Sequence, residues 1–460
     1  MQDAKNIRSC LRYLERFQGA TAVVHIDDAI ADGALGNHVR DIAFLKKAGF
    51  SVLIVAAAKT KIDEVLSHEK IAWNEKNSVR ISDEHAMPFI KMTAFDQAHR
   101  IMTNLASEKI NAVIGNWVQA KSFGVRDGVD FKLTGEIEKL QIDAIRASLS
   151  NDFVPVFPCI GWSSRGTPYN ISSVSLAEKL AIALQADKLF FLSPDVFLNR
   201  NAFRIPDEIA VNESGTVPSF NLEELSIFFS ANESAHFQNE ESANEKNEKE
   251  NCETVKREKI FRLLRAAKNA CEQNVSRVHL VDAKNDGALL LEVFSDVGNG
   301  TMIYKSGYGN FRKMKASDVP RVHELMSDFV TQGKLLARSE NDIFEMLDDY
   351  LVFELDDEIH ACAFLHAYDK VQAELGAVAV DDFCMHIGVG ERLVLELAES
   401  ARRKNLQSVF VLTTSAGDWF CKLGFKPCAI SSLPLERQKK WSPERASKAY
   451  RLEIYDFFCK

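Results

Sequence analysis

The sequence predicts an α/β domain followed by an α+β domain, and three observations carry that prediction. From Thr21 onward, apolar runs of strand length ("ATAVVHI", "FSVLIVAAA", "INAVIGNWV") alternate with helical patterns such as "HVRDIAFLKKAG", as βαβ units around a mainly parallel sheet do. Near residue 306 the pattern changes to mixed strands with helices interspersed: "DYLVFEL", "IHACAFLHAY" and "QAELGAVAV". The length, 460 residues, exceeds one ordinary domain of about 150 residues. The expected domains are residues 1–305 and 306–460.

Composition narrows the class. With 46% hydrophobic and 26% charged residues, the chain is an ordinary globular one. A formal charge of −9 argues against nucleic acid, since a phosphate-backbone binder needs a basic face. The start "MQDAKNIRSCLRYLERF" has no apolar signal core, and no run approaches the roughly 18 apolar residues of a membrane helix. A cytoplasmic protein with no membrane partner is expected. The nine cysteines form no CxxC pair or Cys/His cluster, so neither a disulfide framework nor a zinc site is expected.

In chain order, "VVHIDDAI" is a strand running into Asp27 and Asp28. Ligands of open α/β sheets bind beyond such strand ends. The two acids therefore read as metal ligands, as an acid and base, or as a phosphate site that no longer works. Asn170 is placed to cap the helix carrying Leu176, Leu180 and Leu184. The string "QNEESANEKNEKENCETVKREK", residues 238–259, has almost nothing to bury, and a mobile acidic loop is expected over about residues 230–258. Helical spacing resumes in "IFRLLRAAKNAC", followed by "VSRVHLVDA" and "GALLLEVF" as strand or helix. The second domain opens with Ser317 or Asp318 as cap of "VPRVHELMSDFVTQG".

The stretch "AELGAVAVDDFCMHIGVGERLVLELAESARRKN" runs from a strand through a turn with Gly388 and Gly390. A helix from about Glu391 to Lys404 follows, with Leu393, Leu397, Ala398 and Ala401 on one side. Glycines admit a ligand close to the backbone, and free amides at a helix start suit a pyrophosphate. The GxG alone equally describes a tight turn. Followed by "SVFVLTT" and "WFCKLGFKP", however, this order of parts resembles the GCN5-related N-acetyltransferase fold over about residues 310–458. That resemblance implies acetyl-CoA as co-substrate, held by Val378, Val380, Ile387, Gly388, Val389 and Gly390. Met385 stands where the family commonly has Arg or Gln.

Acetyl transfer in such a fold needs a base for the ammonium and a proton donor for the leaving thiolate. Glu374 is the base candidate: an unpaired carboxylate in an apolar strand, costly to bury, with burial raising its pKa toward the working range. Alternation alone equally lets it face outward. Thr413 either offers its hydroxyl to the thiolate or is structural. Planar guanidiniums such as Arg338 and Arg445 suit carboxylate clamping.

From "FRLLRAAKNACEQNVSRVHLVDAKNDG" through "GKLLARS", "AELGAVAV" and "LP…RASK", nearly the whole chain resembles the bacterial N-acetylglutamate synthase family. The resemblance implies an N-acetyltransferase that makes N-acetyl-L-glutamate from acetyl-CoA and L-glutamate, the first step of arginine synthesis. It casts Arg338, Arg445 and Ser447 as substrate-carboxylate binders, Glu374 as base and Thr413 as hydroxyl acid, with no metal. The first domain resembles the amino-acid kinase fold, a three-layer sandwich, through "GNWVQAKSFGVRDGVDFKLTGEIEKL" and "YNISSVSLAEKLAIALQADKLFFLSPD". Working kinases of that fold have a Lys-x-Gly-Gly turn and a Gly-Gly-rich turn; here the turns are "HIDD" and "VAAAKTKID". Ala56, Ala57 and Ala58 put Cβ atoms where close approach is required, and Asp27 and Asp28 repel phosphate unless a metal intervenes. A non-catalytic regulatory domain is expected, with L-arginine as effector at Tyr13, His279, Glu292 and Gly298, in a homo-oligomer, as the resemblance implies. Two other readings remain: a non-catalytic arginine sensor retaining both folds, motivated by Met385 and Trp441, and an N-acetylglutamate kinase, opposed by the missing glycines.

Overall fold

The computed structural model describes residues 18–212, 215–239, 248–294, 300–305, 309–355, 358–385 and 388–458. The chain divides into two compact units, Met1–Ser306 and Gly307–Lys460. Among the described residues no helix is long and apolar enough to cross a membrane.

The first unit is built on an eight-stranded sheet. Its strands are β1 (Thr21–Ile26), β2 (Ser51–Ala56), β3 (Ala112–Val113), β4 (Val154–Pro158), β5 (Lys188–Ser193), β6 (Ser219–Asn221), β7 (Arg277–Asp282) and β8 (Gly300–Tyr304), in the order β6-β8-β7-β5-β1-β2-β4-β3. All neighbours are parallel except β7 and β8. Parallel strands are buried on both faces, which explains their near-continuous apolar runs. Alternation sorts those runs into two cores. Val24, Ile54 and Phe190 join Val39 and Ile42 of α1 (Asp32–Lys47) on one face. Next in the chain come α2 (Lys59–His68) and α3 (Met87–Ser107). Val23, Leu53 and Phe191 join Leu176 and Leu180 of α4 (Ser173–Leu184) on the other face.

Two local expectations are corrected here. Ser172, not Asn170, caps α4: its side chain accepts the Ser175 N–H, while Asn170 donates from Nδ2 to Ser82 Oγ at 3.0 Å. Asn170 ends a short strand, Pro168–Asn170, and lies too early to reach the helix amides. The acidic segment is also more ordered than its composition predicts. Helix α5 (Leu222–Asn239) runs into it and α6 (Glu248–Glu272) begins within it, leaving only residues 240–247 outside the described chain. Burial of Ile260, Phe261, Leu263, Leu264, Ala267 and Cys271 anchors α6, so its polar first half extends a helix already held by its second. "GALLLEVF" forms α7 (Ala288–Phe294).

The second unit has a seven-stranded sheet. Its strands are β9 (Asn310–Lys313), β10 (Tyr350–Leu355), β11 (Glu358–Ala367), β12 (Gln372–Val380), β13 (Ser408–Thr413), β14 (Lys426–Cys428) and β15 (Lys448–Glu453), ordered β9-β10-β11-β12-β13-β15-β14. Only the central pair β12–β13 is parallel. Alternate residues of β11 again face two cores. Cys362 and Phe364 meet Val322 and Met326 of α8 (Val319–Thr331), together with Ile343 of the short α9 (Glu340–Glu345). Ala363 and Leu365 meet Leu393 and Leu397 of a long helix, Val389–Arg403. Asp318 precedes α8 without capping it, and Ser317 lies inside the short 3-10 turn Ala316–Asp318. The Asp318 carboxylate instead accepts the Lys315 N–H at 2.7 Å and pairs with Arg312 at 2.6 Å.

One buried acid in the first unit has a pH-dependent cost. Asp41 on α1 is buried, its Oδ2 has no hydrogen-bond partner, and burial, aided by the Asp286 charge, raises its pKa to about 6. A carboxyl raised in the folded state destabilises progressively as pH climbs from the unfolded value of 3.8 through about 6. Asp41→Asn is therefore expected to raise the urea midpoint at pH 8, by the equivalent of about 1–2 kcal/mol, and to raise it by only about half as much at pH 5. A gain of equal size at both pH values contradicts the assignment.

Candidate active site

The site of the second unit begins where two strands part. β12 and β13 pair only from Gln372↔Ser408 to Glu374↔Phe410. Beyond that point β13 keeps its partner β15 as far as Thr413↔Lys448, and β12 keeps β11 as far as Val380↔Ala361. The β11–β12 register shifts between Cys362 and Phe364, opposite Gly376 and Ala379, and Ala377 has φ +51. This is a β-bulge, which bends its strand and re-aims the side chains beyond it. β12 is thus led away from β13, opening a gap whose walls are Leu375–Val380 on one side and the end of β13 on the other.

Glu374 sits at the apex of that gap. It is 7% exposed, so it faces inward, but it is not the unpaired carboxylate expected from the apolar strand. Its Oε2 accepts from Arg437 Nε at 2.8 Å and from the Tyr368 hydroxyl at 2.9 Å. Burial and the Glu374 charge lift the Tyr368 phenol above its usual range, so it stays a proton donor to the carboxylate. Arg437 belongs to a short helix, Leu435–Lys439, whose polar sequence "LERQK" gives no sign that one residue reaches a buried strand.

A pocket of about 100 Å³ opens beside Glu374, with Arg338, Arg437, Trp441, Arg445 and Ser447 in its wall. Arg338 lies over the Phe364 ring at 4.8 Å and donates to Met346 Sδ at 3.3 Å. Arg445 donates to the Lys334 carbonyl at 3.2 Å. Neither guanidinium forms an ion pair with a carboxylate among the described residues, which suits both to an anionic ligand. Trp441 Nε1 donates to Ser447 Oγ at 3.1 Å, so the tryptophan at this position orients a residue of the pocket wall. The structure thus brings Glu374, Arg338, Arg445 and Ser447 together.

Thr413 ends β13, and its Oγ1 accepts the N–H groups of Ser415 (3.3 Å) and Ala416 (2.9 Å). The hydroxyl proton is what remains to donate. Across the gap, α10 (Asp382–Met385) leads toward α11 (Val389–Arg403), which begins two residues earlier than the sequence spacing predicts. Gly388 precedes α11 with φ +71, a conformation that favours glycine, and a Cβ on Gly390 would lie 3.4 Å from Val380. Val389, Leu393, Val394, Leu397 and Ala401 are buried and fix α11 to the sheet. The amides of its first turn have no intrahelical acceptor, and its positive end favours an anion. Val378, Val380, Gly388, Val389 and Gly390 all belong to this side of the gap; Ile387 lies outside the described residues. Asp381 holds the approach, accepting the Cys384 N–H (3.1 Å) and pairing with His360 Nδ1 (2.7 Å). The His360, Asp381 and Cys384 ligand atoms lie within 4.8 Å of one another.

Comparison with known proteins finds relatives of both units. The Amino acid kinase family pattern matches residues 21–196, and the Acetyltransferase (GNAT) family pattern matches residues 320–425. An amino-acid acetyltransferase from Photobacterium profundum is 29% identical over 462 residues, covering 98% of both chains. One from Aeromonas salmonicida is 29% identical over 453 residues, covering 96% of both. The chain is thus similar to amino-acid acetyltransferases over nearly its whole length. It also shares its fold with N-acetylglutamate synthase from Neisseria gonorrhoeae. The structure of that protein complexed with coenzyme A and L-arginine matches at TM-score 0.74 and 24% identity, over 98% of this chain and 99% of that one. Its complex with coenzyme A and N-acetyl-glutamate matches at TM-score 0.59 and 25% identity, with the same coverage.

In the first unit, His279 on β7 and Glu292 on α7 meet at 2.7 Å, with both side chains almost fully buried. His279 stacks on Phe190, and burial lowers its pKa to about 4, so the ring is neutral near pH 7. Tyr13 and Gly298 lie outside the described residues. At the end of β1, Asp27 accepts the Ala29 N–H (2.9 Å) and the Ser193 hydroxyl (2.5 Å), and pairs with Lys259 of α6 at 2.7 Å. Asp28 accepts the Lys61 N–H at 2.8 Å, at the start of α2.

The Arg437–Glu374 pair has both side chains about nine-tenths buried, so removing one partner strands a charge. Arg437→Leu is expected to lower the unfolding free energy at pH 7 by about 3 kcal/mol, and the double change with Glu374→Gln to recover most of it. Additive losses in that cycle, measured by urea unfolding, mean that the two side chains do not interact.

Proposed function

We propose that the chain acetylates the amine of L-glutamate with acetyl-CoA, giving N-acetyl-L-glutamate, the first step of arginine biosynthesis, in the cytoplasm and as a homo-oligomer. The carrying observation is a buried carboxylate, Glu374, at the parting of β12 and β13, beside a pocket walled by Arg338, Arg437 and Arg445. The ligands of the structural relative, coenzyme A and N-acetyl-glutamate, support the same reading. Acetyl-CoA would lie along Val378–Val380 with its pyrophosphate on the amides around Gly388–Gly390, and the glutamate carboxylates against Arg338, Arg445 and Ser447.

The reaction then needs one direct step. Glu374 accepts a proton from the substrate ammonium, the freed amine attacks the thioester carbonyl, and the C–S bond breaks; Thr413 gives its proton to the departing sulfur and takes up the second proton that the nitrogen sheds as the amide forms, which restores its hydroxyl. Tyr368 holds Oε2 of the base in place. Arg437 offsets its charge before the substrate arrives, a pairing that differs from the isolated, burial-raised base the strand sequence implies.

The first unit acts as regulator rather than kinase. L-arginine, which the relative binds, is assigned to the His279–Glu292 pair together with Tyr13 and Gly298, its guanidinium donating to the buried carboxylate. Lys259 already neutralises Asp27 where a kinase would hold a phosphate-bound cation. Size-exclusion chromatography with light scattering reads the assembly.

Thiol release from acetyl-CoA tests the activity. Release is expected only with L-glutamate; release that is absent, or independent of glutamate, overturns the proposal. Glu374→Gln is expected to lower kcat by about 10²-fold or more, while Arg445→Ala mainly raises KM for glutamate, by about tenfold or more. Equal kcat in the Glu374 variant removes it as base. L-arginine is expected to change the rate, and His279→Ala to abolish that change with the rate without arginine retained.

A further inference from the structure

The pocket beside Glu374 holds more positive charge than its own residues balance. Arg338, Arg437, Arg445, Lys334 and Lys440 line it against one acid, Glu374. That acid is already engaged: Arg437 Nε meets its Oε2 at 2.8 Å, with both side chains about nine-tenths buried. Arg338 and Arg445 form no ion pair among the described residues and face a sulfur and a carbonyl instead. Of the three guanidiniums, Arg437 is the one whose counter-ion comes from the chain itself.

The proposed proton transfer removes that counter-ion. Once Glu374 has taken a proton it is neutral, and a buried guanidinium left without a partner is costly. Before the transfer, an ammonium brought to Glu374 already sets two cations on one carboxylate. Both costs are met if an anion reaches Arg437 together with the ammonium. An α-amino acid carries such an anion on the carbon that bears its nitrogen. Seating the ammonium on Glu374 therefore brings a carboxylate to the group that lies 2.8 Å from Oε2.

The two partners are also held differently. Glu374 is fixed in the sheet, opposite His366 of β11 and Phe410 of β13. Arg437 comes from the short helix Leu435–Lys439, which has no fully buried residue. Leu433, just before it, is the buried anchor of the segment. Gln438 ties the segment to itself, donating to the carbonyls of Ser431 (3.1 Å) and Leu433 (2.7 Å). The guanidinium can turn from one partner to another without disturbing β12 or β13.

We propose that Arg437 exchanges partners when the acceptor amino acid binds: the substrate ammonium takes its place on Glu374, and Arg437 takes the α-carboxylate. The Tyr368 hydroxyl stays on Oε2, and the proton still passes from the ammonium to Glu374. The α-carboxylate gains Arg437 beside the wall of Arg338, Arg445 and Ser447. An amine that lacks this carboxylate strands Arg437 and is rejected on that account. The inference rests on the transferase reading and deepens it, naming a residue that selects amino acids over plain amines.

The test compares three acceptors of nearly one shape: L-glutamate, its α-amide L-isoglutamine and its side-chain amide L-glutamine. Thiol release from acetyl-CoA gives kcat/KM for the unaltered chain and for Arg437→Gln, which keeps a donor toward Glu374 and loses the charge. The unaltered chain is expected to prefer L-glutamate to L-isoglutamine by at least about 10²-fold. In Arg437→Gln that ratio is expected to fall to about tenfold or less, while the ratio of L-glutamate to L-glutamine stays within about threefold of its original value. Ratios taken within one variant do not depend on its folded fraction. For a variant too slow to assay, calorimetric titration in the presence of coenzyme A reads the same ratios as affinities. An unchanged isoglutamine ratio, or no detectable use or binding of isoglutamine by the variant, overturns the exchange. So does a collapse of the glutamine ratio, which assigns Arg437 to the side-chain carboxylate. Glutamate-dependent thiol release by the unaltered chain is read first: its absence sinks the transferase reading, whereas its presence with unchanged ratios sinks the exchange alone.

Discussion

The second unit depends on a pairing that stops. Two parallel strands joined over their whole length would leave no room at the centre of the sheet. β12 and β13 hold together for three residues and then diverge around the bulge at Gly376 and Ala377. Each strand keeps its other neighbour, so the sheet does not fall apart; the opening is sustained by antiparallel ladders on both flanks. Three of the groups proposed for the chemistry lie around that opening: Glu374 at its apex, Thr413 at the end of one arm, and the turn at Gly388 beyond the other. A continuous ladder would have given a more regular sheet and no site.

The first unit is governed by a matching constraint on charge. A buried acid at a strand end must be paired, protonated or lost. Asp27 is paired internally, by a lysine from α6, a helix whose polar first half reads as a loop in the sequence. That helix therefore links the segment with the least hydrophobic sequence to the buried carboxylate at the end of β1. His25 and His279, both held neutral by burial with values near 4, belong to the same interior, where a charge persists only opposite another.

The sequence pattern carries the fold far but the site only in part. Alternation in "VVHI" and "LFFLS", and the apolar face of α11, predict the layers because burial imposes periods of 2 and 3.6 on residues near one another in the chain. The arms of the gap are legible as a strand, a glycine turn and a helix in fixed order. Contact between distant residues is not legible. Nothing near "QAELGAVAV" announces that Tyr368 and Arg437 share one oxygen of Glu374, and a carboxylate judged by its own strand alone looks unpaired. Likewise Lys259 is one lysine among many until α6 is laid across β1. Ser172 outcompeting Asn170 as a cap is a smaller case: both residue types cap helices, and only the strand that ends at Asn170 decides between them.

Thr413 shows how much a single backbone turn can settle. Two amides, from Ser415 and Ala416, converge on one oxygen, so the hydroxyl is no longer a free rotor. Its lone pairs are occupied by the chain itself, and its proton is directed by the fold and not by whatever approaches. In the proton transfer proposed for Thr413, a donor aimed in advance needs no reorientation, and that saved reorganisation is something a folded chain supplies and a threonine in water does not.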